Sequence, residues 1–462
     1  MCSRPGRELI HTGRVLLDAT AQALTHRLAV EQSRGRAPSM AGAVLRGDEI
    51  VWRGARGEVD GSAPTDDTQY RIGSITKTFV AVVVLRLREE GRLGLDDRLG
   101  DHLSDTPVAD ATIAQLLAHS SGLPAETGAP WWERSDGGVR PDLASLVAEP
   151  PLRAPGRRHH YSNVGFGLLG ALVGHLRGHD WFTAVTREIL EPLGMGRTTY
   201  RPTAPHASGW AVHPWADLLH PEPAHDAGLM APAGQMWSTT TDLARYGAFL
   251  LHGDDRILPA RVVEEMRRPS APSEAGDADR SQGLGLQLLR HAGHALAGHT
   301  GSMPGFVATL WVDPAEDLAA VAFANATSGP AIGALVAELI GTVAEREPRL
   351  PTPWRPAVVN EEVLALLGPW YWGAAPIALR LRGTDELTVG GLGGGARTSR
   401  FSPGPDGTWV GLDGYYAGET LRAVRRADGT VSHLDLGSFV LTREPYAPGE
   451  VIPGGVPDDG WR

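Results

Sequence analysis

The sequence predicts an α+β protein: an antiparallel sheet flanked by helices, carrying a helical subdomain, followed by a small C-terminal β-barrel or sandwich. Three patterns point to it. Two short β-like runs near the N-terminus are separated from a later group of strands by a long stretch of helical segments broken by Pro and Gly. The late strands run into an apolar helix, and elements in that order build a sheet with helices on its faces. After the stiff segment Pro348-Arg349-Leu350-Pro351-Thr352-Pro353-Trp354-Arg355-Pro356, the texture changes to short strand-like runs with Asp-Gly turns, which indicates a separate all-β domain. The expected boundaries are 14–346 for the main domain, with the helical subdomain at roughly 95–280, then 347–360 for the linker and 361–446 for the β-rich accessory domain.

The elements follow in order. Residues 14–34 place Val15, Leu16, Leu24, Leu28 and Val30 at helical spacing and stop at Gly35. Met40–Leu45 and Ile50–Trp52 are β-like and joined by Arg46-Gly47-Asp48-Glu49, a hairpin signal. A Gly/Asp/Pro loop leads to a helix opened by Ser74, whose apolar run Phe79–Leu85 marks it as buried and which stops at Glu90-Gly91. Thr112–His119 reads as a short helix, Val164–Leu176 as an apolar one, and the Trp131-Trp132 and Trp210–Trp215 stretches as loops. Ser238-Thr239-Thr240-Thr241-Asp242 has cap composition ahead of Leu243–Leu251. Strands are expected at Leu284–Leu289, Ala295–His299, Phe306–Val312 and Leu318–Ala324, then a helix at Ala331–Val343. Beyond the linker, Ile377–Leu381, Glu386–Val389, Thr408–Leu412, Leu421–Arg425 and Val431–Leu441 are strand-like, with turns at Asp406-Gly407, Asp413-Gly414 and Asp428-Gly429.

Composition removes several function classes. Hydrophobic residues make up 42% of the 462 and charged residues 21%, the balance of an ordinary globular protein. A net charge of −11 argues against a nucleic-acid footprint and against attraction to an anionic membrane. Cys2 is the one cysteine, so no intrachain disulfide forms. The residues after Met1 lack a signal-peptide apolar core, and no apolar run approaches the roughly 20 residues of a membrane span. These points lead to the expectation of a cytoplasmic protein. His159-His160 and His175/His179 have no carboxylate at ligand spacing, so no metal and no cofactor is expected. Gly390–Gly395 is followed by no helix and reads as a turn, not a dinucleotide loop. No serine has glycine on both sides at a distance of two, which excludes a nucleophile elbow.

The chemistry gathers around Lys77, the one lysine among 43 cationic residues. Arg cannot give up its proton in a protein, whereas a desolvated Lys can, and then serves as a base. Ser74 lies three residues earlier, and residues three apart on a helix are neighbours with Cβ atoms about 5–6 Å apart. A nucleophile and a base are thereby within reach of one another.

Three motifs occur in order: Ser74-Ile75-Thr76-Lys77, Tyr161-Ser162-Asn163 and His299-Thr300-Gly301. This triplet resembles the class C β-lactamase and penicillin-binding-protein family of serine hydrolases, which includes esterases and D-aminopeptidases. The flanking Leu116-Leu117-Ala118-His119-Ser120-Ser121-Gly122-Leu123 and Ala233-Gly234 phrases agree, so the resemblance covers roughly residues 20–345. It implies a β-lactamase-like fold and an acyl-enzyme on Ser74, with Lys77 and Tyr161 moving the proton and nearby positive charge lowering the Tyr161 pKa. It also implies an oxyanion hole from the N–H groups of Ser74 and Ser302, with Asn163 holding the substrate and steadying Lys77. His299, Thr300, Gly301 and Ser302 would line the substrate site. The family usually has lysine where this chain has His299, which is mostly neutral at pH 7. Carboxylate-bearing substrates should therefore bind less well, and a small-molecule ester or peptide-like substrate is expected. β-Lactamase or DD-peptidase activity is the alternative, and a non-catalytic scaffold of the same fold is the alternative of another class. Alone, Ser74 would read as a helix cap and Tyr161 as a core residue. A second copy of the third motif, His11-Thr12-Gly13, precedes the nucleophile and lies outside any strand pattern. The sequence leaves the oligomeric state open.

Overall fold

Residues 318–324, Leu-Ala-Ala-Val-Ala-Phe-Ala, are apolar without interruption, as a strand covered on both faces must be. In the computed structural model, which describes residues 16–104, 106, 108–140, 142–147, 154–271, 279–351, 353–356, 361–392 and 397–447, this segment is a fully buried strand, Leu318–Ala324. Two compact units are present, Met1–Arg349 and Leu350–Arg462.

The first unit is built on a seven-stranded antiparallel sheet. Its strands are β1 (Ser39–Arg46), β2 (Glu49–Gly57), β3 (Arg280–Gln282), β4 (Gln287–His291), β5 (His294–Met303), β6 (Phe306–Asp313) and β7 (Leu318–Ala324). Their spatial order is β2-β1-β7-β6-β5-β4-β3. Alternation along a strand sends side chains to opposite faces, and β7 shows it plainly. Ala319, Val321 and Phe323 enter one core, while Leu318, Ala320, Ala322 and Ala324 enter another. The second core is closed by helices α1 (Asp18–Arg34) and α5 (Ile332–Arg346), through Leu24, Leu28, Leu335 and Leu339. The first is closed by α2 (Thr76–Glu89), α3 (Asn163–Arg177) and α4 (Thr240–His252).

Helix α2 is buried from Thr76 through Leu85, because the sheet lies on one side and helices on the others. Phe79 stacks on Tyr246 of α4 with ring centroids 3.9 Å apart. Helix α3 starts where the Ser162 hydroxyl accepts the Gly165 N–H (3.1 Å) and stops at Gly178 in the left-handed region. Its Gly170 has no room for a side chain, since a Cβ there would lie 2.1 Å from Pro232 Cγ. That contact seats the turn Gly228–Ala233 against α3.

The fold class is the one expected, with local differences. Leu284 lies outside the strands, and the expected run Leu284–Leu289 resolves into Arg280–Gln282 and Gln287–His291. The third motif sits inside β5, which extends to Met303. Trp210–Val212, expected as loop, is a short strand paired with Leu219–Pro221. Ser74 does not open α2; it lies in a 3₁₀ turn, Gly73–Ile75, that feeds the helix. Residues 11–13 lie outside the described residues, as do 393–395 of the glycine run. No described helix is long and apolar enough to cross a membrane.

The second unit is an eight-stranded meander in sequence order. It runs through β8 (Gly368–Trp372), β9 (Ala375–Arg382), β10 (Glu386–Gly391), β11 (Ser399–Pro403), β12 (Trp409–Gly411), β13 (Thr420–Arg425), β14 (Val431–Leu436) and β15 (Phe439–Leu441). Tyr371 and Thr442 exchange both backbone hydrogen bonds (2.7 and 3.0 Å), joining the first strand to the end of the last. The sheet is thus barrel-like, filled by inward residues such as Trp370, Leu387, Phe401 and Leu434. Sequence patterning missed β8 and β11, whose Pro and Gly content masks the alternation.

Candidate active site

Ser74 is held from two sides. The Ile72 N–H donates to the Met236 carbonyl (2.9 Å), tying the turn to the helical half. On the sheet side β5 comes close enough that a Cβ on Gly301 would lie 2.0 Å from the Ile72 carbonyl oxygen. Glycine at 301 is therefore required for the motif strand to reach the nucleophile turn.

Lys77, one helical turn on, is fully buried. Its Nζ donates to Ser74 Oγ at 2.8 Å and to the Ala233 carbonyl at 2.5 Å. It lies 5.1 Å from the centre of the Tyr161 ring and 5.9 Å from that of Phe166. Burial lowers its pKa from 10.5 to about 7, against the opposing pull of the Glu126 and Glu133 carboxylates. The Tyr161 hydroxyl lies near Ser74, whose hydroxyl opposes the rise of its pKa. Here the structure corrects the sequence reading: burial drives the Tyr161 phenol upward, and Glu126 and Glu133 add to it. A lysine that sheds its proton near 7 supplies little charge to oppose this. Of the two groups on Ser74, Lys77 is the one that can be found deprotonated at neutral pH.

Tyr161 sits just ahead of α3, and His119 fixes it there. The His119 ring lies 4.2 Å from the Tyr161 ring, its Nδ1 accepts the Ser162 N–H (3.0 Å), and its carbonyl accepts the His160 N–H (2.7 Å). His119 has φ +53°, an uncommon conformation for a residue with a side chain. Burial keeps it neutral, well below the usual imidazole range.

Asn163 opens α3 but does not steady Lys77. No hydrogen bond joins it to Lys77; the Ala233 carbonyl does that work. Instead Asn163 Nδ2 donates to Glu126 Oε1 (2.7 Å), and Glu126 Oε2 accepts from Trp132 Nε1 (2.6 Å). Asn163 Oδ1 is buried without a hydrogen-bond partner. Glu133, half-buried nearby, is raised by burial. Sequence reading missed Glu126 and His119. Glu126 lies in a Pro/Gly loop with no pattern to flag it, and nothing in the Leu116–Leu123 phrase distinguishes His119 from a core histidine.

The third motif places His299, Thr300, Gly301 and Ser302 along β5. His299 is buried, with Nδ1 donating to the Thr300 carbonyl (2.5 Å) and Nε2 without a partner. Burial, then Lys77, lowers its pKa to about 3, so it is neutral throughout the working range. The Thr300 N–H points toward the β4 side, and the Ser302 N–H, two residues on, points the same way. Gly73 lies there, where a Cβ would be 2.6 Å from Ser302 N, and a Cβ on Gly301 would be 3.3 Å from Ser74 N. The Gly73–Ser74 turn and the Gly301–Ser302 stretch of β5 therefore run in close contact.

This fold and this serine–lysine–tyrosine cluster define a β-lactamase-like protein, and comparison with known families agrees. The chain belongs to the β-lactamase family, whose model matches residues 17–345. Residues 359–443 match a second family, a domain of unknown function (DUF7586). A beta-lactamase-like 1 protein of Homo sapiens is 30% identical over 298 residues, covering 60% of this chain and 59% of that protein. Beta-lactamase-like protein 2 of Dictyostelium discoideum is 28% identical over 258 residues, covering 52% and 47%. The chain thus spans about half the length of the curated relatives it matches. Among solved structures, an octameric penicillin-binding protein homologue from Pyrococcus abyssi shares the fold (TM-score 0.62, 21% identity, 92% of this chain and 100% of that one). A D-stereospecific amidohydrolase from Streptomyces aligns with TM-score 0.58 and 27% identity over 70% of this chain and 98% of that one. A D-amino acid amidase from Ochrobactrum anthropi, in complex with D-phenylalanine, aligns with TM-score 0.59 and 25% identity over 71% and 99%.

Proposed function

We propose that the first unit hydrolyses small esters, amides or short peptides through an acyl-enzyme on Ser74, with preference for substrates carrying a cationic amine beside the acyl carbon. The observation that carries this is the 2.8 Å contact between Ser74 Oγ and a buried Lys77 whose proton leaves near neutrality. Neutral Lys77 accepts the Ser74 proton as the oxygen attacks the carbonyl. Charge then develops on the carbonyl oxygen, where the Ser74 and Ser302 amides can donate; one such donor is typically worth about 10²–10³ in rate. Tyr161, kept protonated by burial, passes its hydroxyl proton to the leaving group and regains one from Lys77. Water attacks the acyl-enzyme by the reverse path.

The preference for an amine rests on Glu126, Glu133 and Asn163. A carboxylate beside an unpartnered amide oxygen is a place for an ammonium group, which donates to both. The D-stereospecific amidohydrolase from Streptomyces and the D-amino acid amidase from Ochrobactrum anthropi, to which this chain is similar, fall in the same class. Neutral His299 speaks against the β-lactamase and DD-peptidase alternative, because it offers a substrate carboxylate no charge. The test is intact mass after incubation with a fluorophosphonate, together with turnover of short-chain esters, D-amino-acid amides and nitrocefin. An adduct lost in Ser74→Ala and turnover of amides over nitrocefin are expected. No adduct on the native protein would leave the scaffold reading in its place.

A further inference from the structure

A cavity of about 570 Å³ opens beside Tyr161 and Thr300, with Gln287, Leu288, Trp311 and Ala334 among its walls. Neither Glu126 nor Asn163 lines it. Tyr161, the proton donor to the leaving group in the function proposed above, lines it, which assigns this compartment to the half that departs.

The hydrogen-bond polarity of its polar wall is fixed by one residue. Strand β4 begins at Gln287 opposite Gly298, so two residues further along β5 the Thr300 N–H has no ladder partner on that side. The Gln287 side chain takes the place of one: its Oε1 accepts the Thr300 N–H at 3.1 Å. A backbone N–H only donates, so the atom it meets must be the amide oxygen, and this settles which way the Gln287 amide is turned. The same Oε1 lies 3.1 Å from Thr300 Oγ1. An amide oxygen has no hydrogen to give, so the threonine hydroxyl spends its hydrogen there and keeps only lone pairs. Gln287 Nε2 makes no hydrogen bond among the described residues, which leaves its two N–H groups as donors at the cavity wall. A donor and an acceptor stand side by side.

That pair is complementary to an amide, which offers one carbonyl oxygen and N–H hydrogens, and mismatched to a carboxylate, which offers oxygens alone. We propose that Gln287 and Thr300 form a subsite that reads an amide group on the departing half of the substrate and discriminates against a carboxylate there. The substrate class is then a peptide amide, or a peptide that continues beyond the scissile bond, rather than one ending in a free carboxylate. The neutral His299 beside Thr300 adds no cation to offset the mismatch. The inference rests on reading Ser74 as the nucleophile and deepens it.

Equilibrium binding to full-length Ser74→Ala tests it without turnover, using calorimetry with D-alanyl-D-phenylalaninamide and D-alanyl-D-phenylalanine. Arg280 and His160 also line the cavity, and their long-range effect on the charged ligand is suppressed by working at about 0.5 M salt. The amide is expected to bind about tenfold more tightly than the acid, the worth of a matched hydrogen bond against a mismatched one. Thr300→Val, isosteric but without lone pairs, should bring the ratio to about one. Gln287→Glu keeps an acceptor for the Thr300 N–H but removes the donor, and should weaken the amide about tenfold. A merely structural role for Thr300 would weaken both ligands alike in Thr300→Val and leave the ratio near ten. A ratio below about two in Ser74→Ala, a ratio unchanged by both variants, or no binding of either ligand overturns the inference. Fluorophosphonate labelling of the native protein reports separately on Ser74, so a labelled serine with no amide preference sinks this subsite alone.

Discussion

Replacing Lys77 with Met should make the protein more stable as it destroys activity, and the gain should shrink as pH rises. The unfolded chain holds the Lys77 proton up to about 10.5, whereas the folded protein releases it near 7. Between those values unfolding takes up a proton, so stability climbs with pH from about 7 to 10.5; below 7 the full cost of burying the ammonium is present. A gap of 3.5 pH units, at 1.36 kcal/mol each, makes that cost about 5 kcal/mol at pH 6 and about 2 kcal/mol at pH 9. The lost bond to the Ala233 carbonyl offsets about 1 kcal/mol of the gain. At about 2 °C per kcal/mol for a unit this large, Lys77→Met should melt about 8 °C above the parent at pH 6 and about 2 °C above it at pH 9. Calorimetric scans of both proteins at the two pH values measure this. The companion measurement is kcat/KM for p-nitrophenyl acetate, which has no group titrating in this range. It should rise tenfold per pH unit and level off near 7, the behaviour of a base that must lose its proton. A melting difference that is the same at both pH values, or a rate that levels near 10, would refute the burial argument.

Other outcomes follow from single contacts. His299→Lys should lower KM for carboxylate-bearing substrates at neutral pH, read by comparing nitrocefin with a neutral ester. Unchanged selectivity would mean that this position does not face a substrate carboxylate. Glu126→Gln should raise KM about tenfold for D-amino-acid amides and leave p-nitrophenyl acetate within about twofold, because a charge-assisted hydrogen bond is worth about 1.5–3 kcal/mol; equal losses on both substrates would assign Glu126 to structure. Gly301→Ala forces β5 away from the Ser74 turn, and kcat should fall at least about 100-fold, the worth of a displaced oxyanion donor. Activity within tenfold of the parent would argue that the Ser302 amide is not needed.

Much of this was legible in the sequence because the signals were local or unusual. The central strands could be read from Phe306–Val312 and Leu318–Ala324, where apolar residues fill both faces. Helix α3 could be placed from Val164–Leu176 with Ser162 before it and Gly178 after. Ser74 and Lys77 stood out because a solitary lysine among arginines asks for a reason. What stayed hidden were residues whose role depends on distant partners. Glu126 matters through Asn163, 37 positions away. Gln287 reaches Thr300 across a strand that begins two residues too late to pair with it. The direction of the Tyr161 shift was misread because depth of burial, not the proximity of an amine, decides it. Barrel strands such as Ser399–Pro403 carry too few alternating apolar residues to announce themselves.

The close approaches at Gly301 and Gly170 have a consequence for how the protein fails. Ser74 belongs to neither half of its unit alone: Gly301 presses the sheet against its turn, and Gly170 lets the Pro232 loop bring the Ala233 carbonyl to Lys77. A small slip of one half past the other would misalign hydroxyl, amine and amides while every helix and strand remained intact. On gentle heating, catalysis should therefore disappear before the circular dichroism changes, so lost turnover would be the earliest sign that the two halves have come apart.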